Sequence, residues 1–147
     1  MKKIILIISI LSIHSIYSQK CNLSFDQLVN VLSYSQVEFD TFVLENGFSY
    51  NSIDQVYNCD KSKKNNFRNI IMRIEERGMQ VLVYSFNEKK KYLKFKEIID
   101  DGELSELNDN SGELSFQYWY KEKNIIIQTN TNYDGSNSYM ISIAKVK

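Results

Sequence analysis

The chain has no proline, five glycines, two cysteines and a single histidine among its 147 residues. The histidine, His14, lies in an N-terminal segment that we expect to be removed. A domain without imidazole has no Ser-His or Cys-His catalytic pair and no histidine metal ligand. The sequence also contains no glycine-rich phosphate loop, nucleophile elbow or zinc-ligand spacing. We therefore expect no metal and no cofactor, and these absences favour a binding protein over an enzyme without deciding between them.

The N-terminus has the pattern of a secretory signal peptide. Lys2 and Lys3 precede an apolar run from Ile4 to Ile16, and Ser18 is a small residue at a cleavage position. The run is shorter than the roughly 20 apolar residues that cross a bilayer. It is also interrupted by serine and histidine. These features predict removal of residues 1–18.

The mature chain is then residues 19–147, which is the size of one domain. We expect this domain to be exported, to the periplasm or the medium, and to have no transmembrane anchor. Two alternatives remain open, namely an uncleaved membrane anchor and a lipoprotein modified at Cys21. The residue before a lipidated cysteine is usually small, whereas here it is Lys20.

Loss of the signal segment also changes the charge. The whole chain has 18 basic and 18 acidic residues, and removal of Lys2 and Lys3 leaves 16 against 18, a net charge of −2. Such a balance gives no reason to expect nucleic acid or an anionic membrane as a partner. The partner is therefore expected to be a protein or a small ligand.

Cys21 and Cys59 are the only cysteines. In an oxidising compartment two cysteines predict a disulfide, which here would join the start of the mature chain to its middle. Two unpaired thiols and a redox-active pair are the alternatives. No CxxC spacing supports the redox reading.

Two short helices are predicted after Cys21. Ser24 with Gln27, and Ser35 with Glu38, form capping boxes, in which a serine starts a helix and a side chain three residues later bonds back to it. Apolar residues follow each box at helical spacing: Phe25, Leu28, Val29 and Leu32, then Phe39, Phe42 and Val43. Gly47 fits the left-handed position that ends the second helix. We expect an antiparallel helical hairpin.

Beyond Gly47 the apolar pattern alternates, which predicts strands near 48–57, 67–76, 79–87, 113–121, 124–131 and 138–146. The strand from Met79 to Phe86 is apolar on both faces and is expected at the centre of the sheet. Residues 87–101 fit a helix with Asn87 as its cap and Gly102 as its end, although a strand is the alternative. Residues 59–66 (CDKSKKNN) predict a solvated loop, with an anion site as the alternative.

These elements predict an α+β fold. We expect an antiparallel sheet of about six strands, with the two-helix N-terminal hairpin and a third helix packed on one face. The order helix, glycine, three strands occurs over 36–87 and again over 87–146, which predicts a duplicated α-βββ unit in which Tyr57 corresponds to Tyr118. The order of elements also resembles the NTF2-like cone, which is the alternative fold.

Two polar stretches are candidates for catalysis or metal binding. Asp100, Asp101 and Glu103 could supply the paired carboxylates of a glycoside hydrolase, but adjacent acids at a helix end predict a charged terminus. Residues 130–135 match the first half of a calcium loop, N-x-N-x-D-G. The twelfth position is Ile141 instead of glutamate, so a turn rich in Asx residues is expected.

Trp119 and Gln117 are the candidate ligand-binding residues. Alternation places them with Ser115, Ile126, Met140 and Ser142 on the more polar face of the sheet. The alternative is that Trp119 packs under a loop or against the helices. The expected function is a non-catalytic binding or protein-interaction module of the periplasm or cell envelope. A carboxylate-dependent hydrolase and a purely structural envelope component are the alternatives.

Overall fold

The computed structural model describes residues 21–60, 68–76, 78–100, 103–110, 113–120, 124–132 and 138–145. The predicted signal segment lies outside these residues, and so does most of the predicted lysine-rich loop. Cys59 and Asp60, which we assigned to that loop, instead belong to a strand. The predicted α+β class is confirmed, with three helices and one antiparallel sheet in the described residues.

The two predicted N-terminal helices are present. Helix α1 spans Phe25–Val31 and helix α2 spans Gln36–Glu45. Both begin at the predicted capping boxes, in which each serine accepts from a backbone N–H at 3.3 Å and the partner side chain accepts in return: Ser24 with Gln27, and Ser35 with Glu38. Gly47 follows α2 with a φ of 87°, the left-handed conformation expected there.

Helix α3 spans Lys89–Ile99, so the helical interpretation of this segment is confirmed. Its N-cap is Glu88, however, and not the predicted Asn87. The Asn87 side chain is engaged elsewhere, because its Oδ1 accepts from the backbone N–H of Arg68 at 3.0 Å. Asn87 therefore joins the start of a strand to the start of α3 instead of capping the helix.

Over the part of the chain that the structure describes, the sheet has eight antiparallel strands in place of the expected six or so. They are β1 (Ser49–Asn51), β2 (Val56–Asp60), β3 (Arg68–Glu76), β4 (Met79–Phe86), β5 (Glu103–Asn110), β6 (Glu113–Tyr120), β7 (Ile125–Asn132) and β8 (Tyr139–Lys145). The predicted strand 48–57 is in fact two strands. They are separated by a turn in which Asn51 Oδ1 accepts from the N–H of Ile53 at 3.0 Å. Strand β5 was not predicted.

The strand order is β1-β2-β3-β4-β8-β7-β6-β5, which is two four-stranded meanders joined at β4 and β8. Strand β4 thus lies centrally, as its apolar faces predicted. Helix α2 precedes the first meander and α3 precedes the second, so each half of the chain is a helix followed by four strands and not three. The origin of the two halves by duplication stays a prediction.

One face of the sheet is covered by the helices. Its buried residues include Ile71, Leu82, Tyr84, Ile127, Ile141 and Ile143 from the strands, packed with Leu28, Phe39, Val43, Phe95 and Ile99 from the helices. In the described residues the contacts between helices and strands come from this face. Examples are Arg73 with Phe39, Tyr139 with Tyr92, and Tyr120 with Ile99.

The predicted disulfide between Cys21 and Cys59 is present, with Cα atoms 6.0 Å apart. Both cysteines are buried in the core. Cys21 has a φ of 67°, and its backbone N–H donates to the carbonyl of Asn46 at 2.7 Å. The disulfide therefore attaches Cys21 to β2, and the hydrogen bond attaches it to the end of α2.

A buried polar cluster lies next to the disulfide and consists of Asn69, Tyr84 and Lys91. Lys91 Nζ donates to Asn69 Oδ1 at 3.1 Å and to the hydroxyl of Tyr84, and it lies 4.6 Å from the centre of the Tyr84 ring. The Tyr84 hydroxyl has one proton, which it shares between Asn69 Oδ1 at 3.2 Å and the carbonyl of Cys21 at 3.4 Å. Burial raises the pKa of Tyr84, so its hydroxyl is neutral. These contacts account for the position of Lys91 in the first turn of α3, where the helix macrodipole disfavours a positive charge.

Candidate functional site

The sheet face opposite to the helices is the candidate site. Inter-strand pairing places apolar residues of five strands side by side in one row: Ile74, Val81, Ala144, Ile126 and Trp119. A second row contains Met72, Val83, Ser142, Gln128 and Gln117, and a third contains Ile70, Ser85, Met140, Asn130 and Ser115. We call these fifteen residues the open face.

The open face is uncharged, although 24% of the residues in the chain are charged. None of its fifteen side chains is ionisable. Ile74 and Trp119, at the two ends of the apolar row, are each 40% exposed. Because neighbouring strands are about 4.8 Å apart, the row spans roughly 19 Å. The result is an apolar stripe bordered by amides and hydroxyls, and at its β5 end by Glu103 and Glu106, which pair with Trp119 and Gln117.

The structure places both predicted binding residues, Trp119 and Gln117, on the open face. Trp119 pairs with Ile126, and Gln117 pairs with Gln128. The side chain of Gln128 in turn donates to Ser115 Oγ at 3.0 Å. The predicted companions of Trp119 lie there as well, namely Ser115, Ile126, Met140 and Ser142. Ligand binding by Trp119 and Gln117 stays a prediction.

Sequence reasoning missed the part of this face that comes from the first half of the chain. Ile74 and Val81 belong to β3 and β4, and they reach the same row as Trp119 because β4 pairs with β8. The available signal was the apolar character of both faces of β4. It predicted a central strand but not which strand lies beside it.

The acidic residues that suggested glycoside chemistry are not brought together as a pair in the described residues. Asp100 Oδ1 accepts from Lys96 Nζ at 2.6 Å and from the hydroxyl of Tyr118 at 2.7 Å. Burial alone would raise the pKa of Asp100, but these bonds and the Lys96 charge lower it below its usual value. Asp101 lies outside the described residues, and Glu103 begins strand β5. Asp100 is thus an ionised partner of Lys96 that ties α3 to β6.

The stretch that resembles a calcium loop is partly a strand. Residues 130–132 form the end of β7, and the rest of the motif lies outside the described residues. Asn130 belongs to the open face and pairs with Ser115 and Met140. Within the residues that the structure describes, no group of three or more Cys, Asp or Glu side chains could hold a metal ion.

Tyr57 in the first half of the chain makes a bond like that of Tyr118. Its hydroxyl donates to Oδ1 of Asp40 on α2 at 2.7 Å. Burial, together with this bond and the Asp40 charge, raises the pKa of Tyr57 to about 12. Both tyrosines lie in the second strand of their meander and bind an aspartate of the preceding helix or its C-cap. The predicted correspondence of Tyr57 with Tyr118 therefore has a counterpart in their hydrogen bonding.

We expect Tyr57 to ionise near pH 12, well above ordinary tyrosines. Because its folded-state pKa is raised, the bond to Asp40 contributes stability below pH 10 and loses it as the pH rises through about 12. The measurement is phenolate absorbance against pH, with Tyr57→Phe as reference. A difference titration centred near pH 10 would contradict the prediction.

No protein-family model, curated protein or solved structure matches this chain. The likeness to the NTF2-like cone therefore stays a prediction, supported by the order of elements alone. In the part of the chain that the structure describes, none of the helices has the length and apolar character needed to traverse a membrane.

Proposed function

We propose that this protein is a non-catalytic interaction module of the cell envelope or the medium, which binds a protein partner through the open face. The observation that carries the proposal is the uncharged row of Ile74, Val81, Ala144, Ile126 and Trp119 across five strands. Interface centres are depleted of charge and enriched in tryptophan and methionine. The open face has this composition, with Trp119, Met72 and Met140.

The proposed partner presents an uncharged, largely apolar surface to this stripe. A charged surface would lose its hydration on binding to the stripe without gaining an ionic partner there, since the glutamates that pair with Trp119 and Gln117 lie beyond it on β5. The amides that border the stripe, among them Gln117 and Gln128, would supply the hydrogen bonds of the interface rim. Trp119 and Ile74 are its expected anchors, because they are the most exposed apolar residues of the row.

The exported location belongs to the same proposal. It is supported by the signal-peptide pattern of residues 1–18 and by the disulfide between Cys21 and Cys59, since such bonds persist in oxidising compartments. A non-catalytic role is supported by the engagement of Asp100 and Asp40 in bonds that join helices to strands.

Arginine at either end of the row is expected to abolish partner binding. The experiment compares tagged wild-type protein, Ile74→Arg and Trp119→Arg in the native host, with crosslinking followed by identification of the captured protein. Each substitution places a charge in the interface and should weaken binding by about 2 kcal/mol or more. Leu93→Arg is the matched control, because Leu93 is 53% exposed on α3, away from the open face.

The expected result is one protein that wild type and Leu93→Arg capture and that both open-face variants lose. Circular dichroism checks that all three variants are folded. The proposal is wrong if the open-face variants retain the partner, if Leu93→Arg loses it equally, or if the wild type captures none.

A further inference from the structure

A cleft of about 470 Å³ lies beside helix α2, where β1, β2 and β3 meet the helix. Its size falls within the usual range of small-molecule sites. The cleft is lined by one guanidinium, from Arg73, one carboxylate, from Asp40, and two amides, from Gln36 and Gln55, together with apolar and aromatic side chains. It is distinct from the Trp119 end of the open face, since Trp119 lies on β6.

Both charged groups are held in place by other parts of the fold. Arg73 Nη1 donates to the backbone carbonyl of Tyr34 at 2.6 Å, and its guanidinium lies 5.3 Å from the centre of the Phe39 ring. Asp40 Oδ1 accepts from the hydroxyl of Tyr57 at 2.7 Å. These bonds fix the two opposite charges on the wall of the cleft before any ligand arrives.

One side chain, that of Gln36, connects the two charges. Its Oε1 accepts from Arg73 Nη2 at 3.2 Å, and its Nε2 donates to Asp40 Oδ1 at 2.7 Å. Gln36 is exposed and is the first residue of α2. The amide can therefore swing into solvent without disturbing the core.

The amide of Gln36 presents a donor to Asp40 and an acceptor to Arg73, and an α-amino acid carries a donor and an acceptor in the same arrangement. A ligand with an ammonium group toward Asp40 and a carboxylate toward Arg73 would donate and accept at the same two positions. The nitrogen and oxygen of a primary amide are two bonds apart, and those of an α-amino acid are three bonds apart, so the spans are similar. Charge-assisted bonds are roughly twice as strong as those of a neutral amide.

The rest of the cleft suits an apolar side chain. Leu44, one turn after Asp40 on α2, is 52% exposed, and Tyr50 on β1 is 54% exposed. The Tyr50 and Tyr57 rings lie 5.1 Å apart, which extends the apolar wall. A ligand side chain placed between Leu44 and Tyr50 would remove apolar surface from water on both sides.

We propose that this cleft binds a free α-amino acid with a large apolar side chain, whose ammonium group contacts Asp40 and whose carboxylate contacts Arg73 in place of the Gln36 amide. The site shares Met72 with the open face but none of the row that contains Ile74 and Trp119, and it adds a small-molecule ligand to the proposed protein partner. No bond is made or broken in the ligand.

Three probes test the two charge contacts separately by calorimetric titration of the purified protein. L-Phenylalanine carries both charges, phenylalaninamide lacks the carboxylate, and 3-phenylpropanoate lacks the ammonium group. We expect L-phenylalanine to bind. Each analogue should bind at least about tenfold more weakly, because each loses one charge-assisted contact.

Two variants of α2 should change the affinity for L-phenylalanine in opposite directions. Asp40→Asn keeps an acceptor for Tyr57 but removes the charge, and it should weaken binding about tenfold. Gln36→Ala removes the competing amide and should tighten binding about threefold. Val37→Ala is the matched control, because Val37 is 75% exposed on the same helix and does not line the cleft.

A tighter Gln36→Ala complex, a weaker Asp40→Asn complex and an unchanged control would support the proposal. Equal binding of L-phenylalanine and 3-phenylpropanoate would overturn it, since Asp40 would then hold no ammonium group. Absence of binding to both wild type and Gln36→Ala at about 10 mM ligand would also overturn it, because even a 1 mM site is then mostly filled.

Discussion

Replacement of both Cys21 and Cys59 by alanine is expected to lower the free energy of unfolding by about 4 kcal/mol. The two cysteines are 38 positions apart, and a crosslink over a loop of this length restricts the unfolded chain far more than the folded one. For a domain of this size the loss corresponds to a fall in melting temperature on the order of 15 °C. Urea denaturation followed by circular dichroism measures the free energy, and a thermal melt followed in the same way measures the melting temperature.

The alanine variant also removes two buried sulfur atoms, so a second comparison is needed to isolate the crosslink. Wild-type protein unfolded and refolded in reductant provides it, since the same side chains are present without the bond. We expect the reduced protein to lose most of the 4 kcal/mol as well. A reduced protein within about 1 kcal/mol of the oxidised one would show that the chain-entropy account is wrong here.

Replacement of Asn69 by leucine is expected to cost about 3 kcal/mol. Asn69 is 1% exposed, and its Oδ1 accepts from both Lys91 and Tyr84. Leucine has a similar volume but no acceptor, so the buried amine of Lys91 would lose one of its oxygen partners. The measurement is again the free energy of unfolding in urea.

A second substitution distinguishes this cause from a packing defect. If the loss arises at the Lys91 amine, the double variant Asn69→Leu with Lys91→Met should recover at least half of it, because no buried amine then remains. Lys91→Met alone is the matched control, since Asn69 Oδ1 keeps its bond from Tyr84 at 3.2 Å. Additive losses in the double variant would contradict the prediction.

Local patterns predicted the helices well. The serine and its partner three residues later determine where α1 and α2 begin, and this information lies within four residues. Asn87 was assigned wrongly as the cap of α3 because its actual partner, the N–H of Arg68, is distant in sequence. A cap assigned from sequence assumes that the side chain has no better partner elsewhere.

Strand β5 could not be predicted because its sequence, ELSELNDN, is polar and lacks clean alternation. It lies at the edge of the sheet and pairs only with β6 in the described structure. Charged residues and a register shift between Leu104 and Glu106 are typical of edge strands that avoid pairing with other chains. The charged residues and the register shift that protect an edge strand from pairing also remove the apolar alternation by which strands are predicted from sequence.

The candidate sites differ in how many of their residues could be predicted from the sequence. Alternation within β6 and β7 is local, so it grouped Trp119 with Gln117 and Ile126. The addition of Ile74 depends on the order of strands, which single-strand patterns do not contain. The Arg73, Asp40 and Gln36 cluster was missed altogether, because Arg73 meets α2 only through the packing of β3 against that helix.

The pairing of β4 with β8 has a consequence for how the chain acquires its fold. Residues 81–86 of β4 need residues 139–144 as their neighbours, and β8 is the last strand in the described residues. A growing polypeptide cannot complete its central ladder until residues 139–144 have been made, and such distant pairings form slowly. Until then β4 has an unpaired edge and the two meanders are not joined, so the complete fold, which would oppose the passage across a membrane that the predicted signal peptide implies, cannot form.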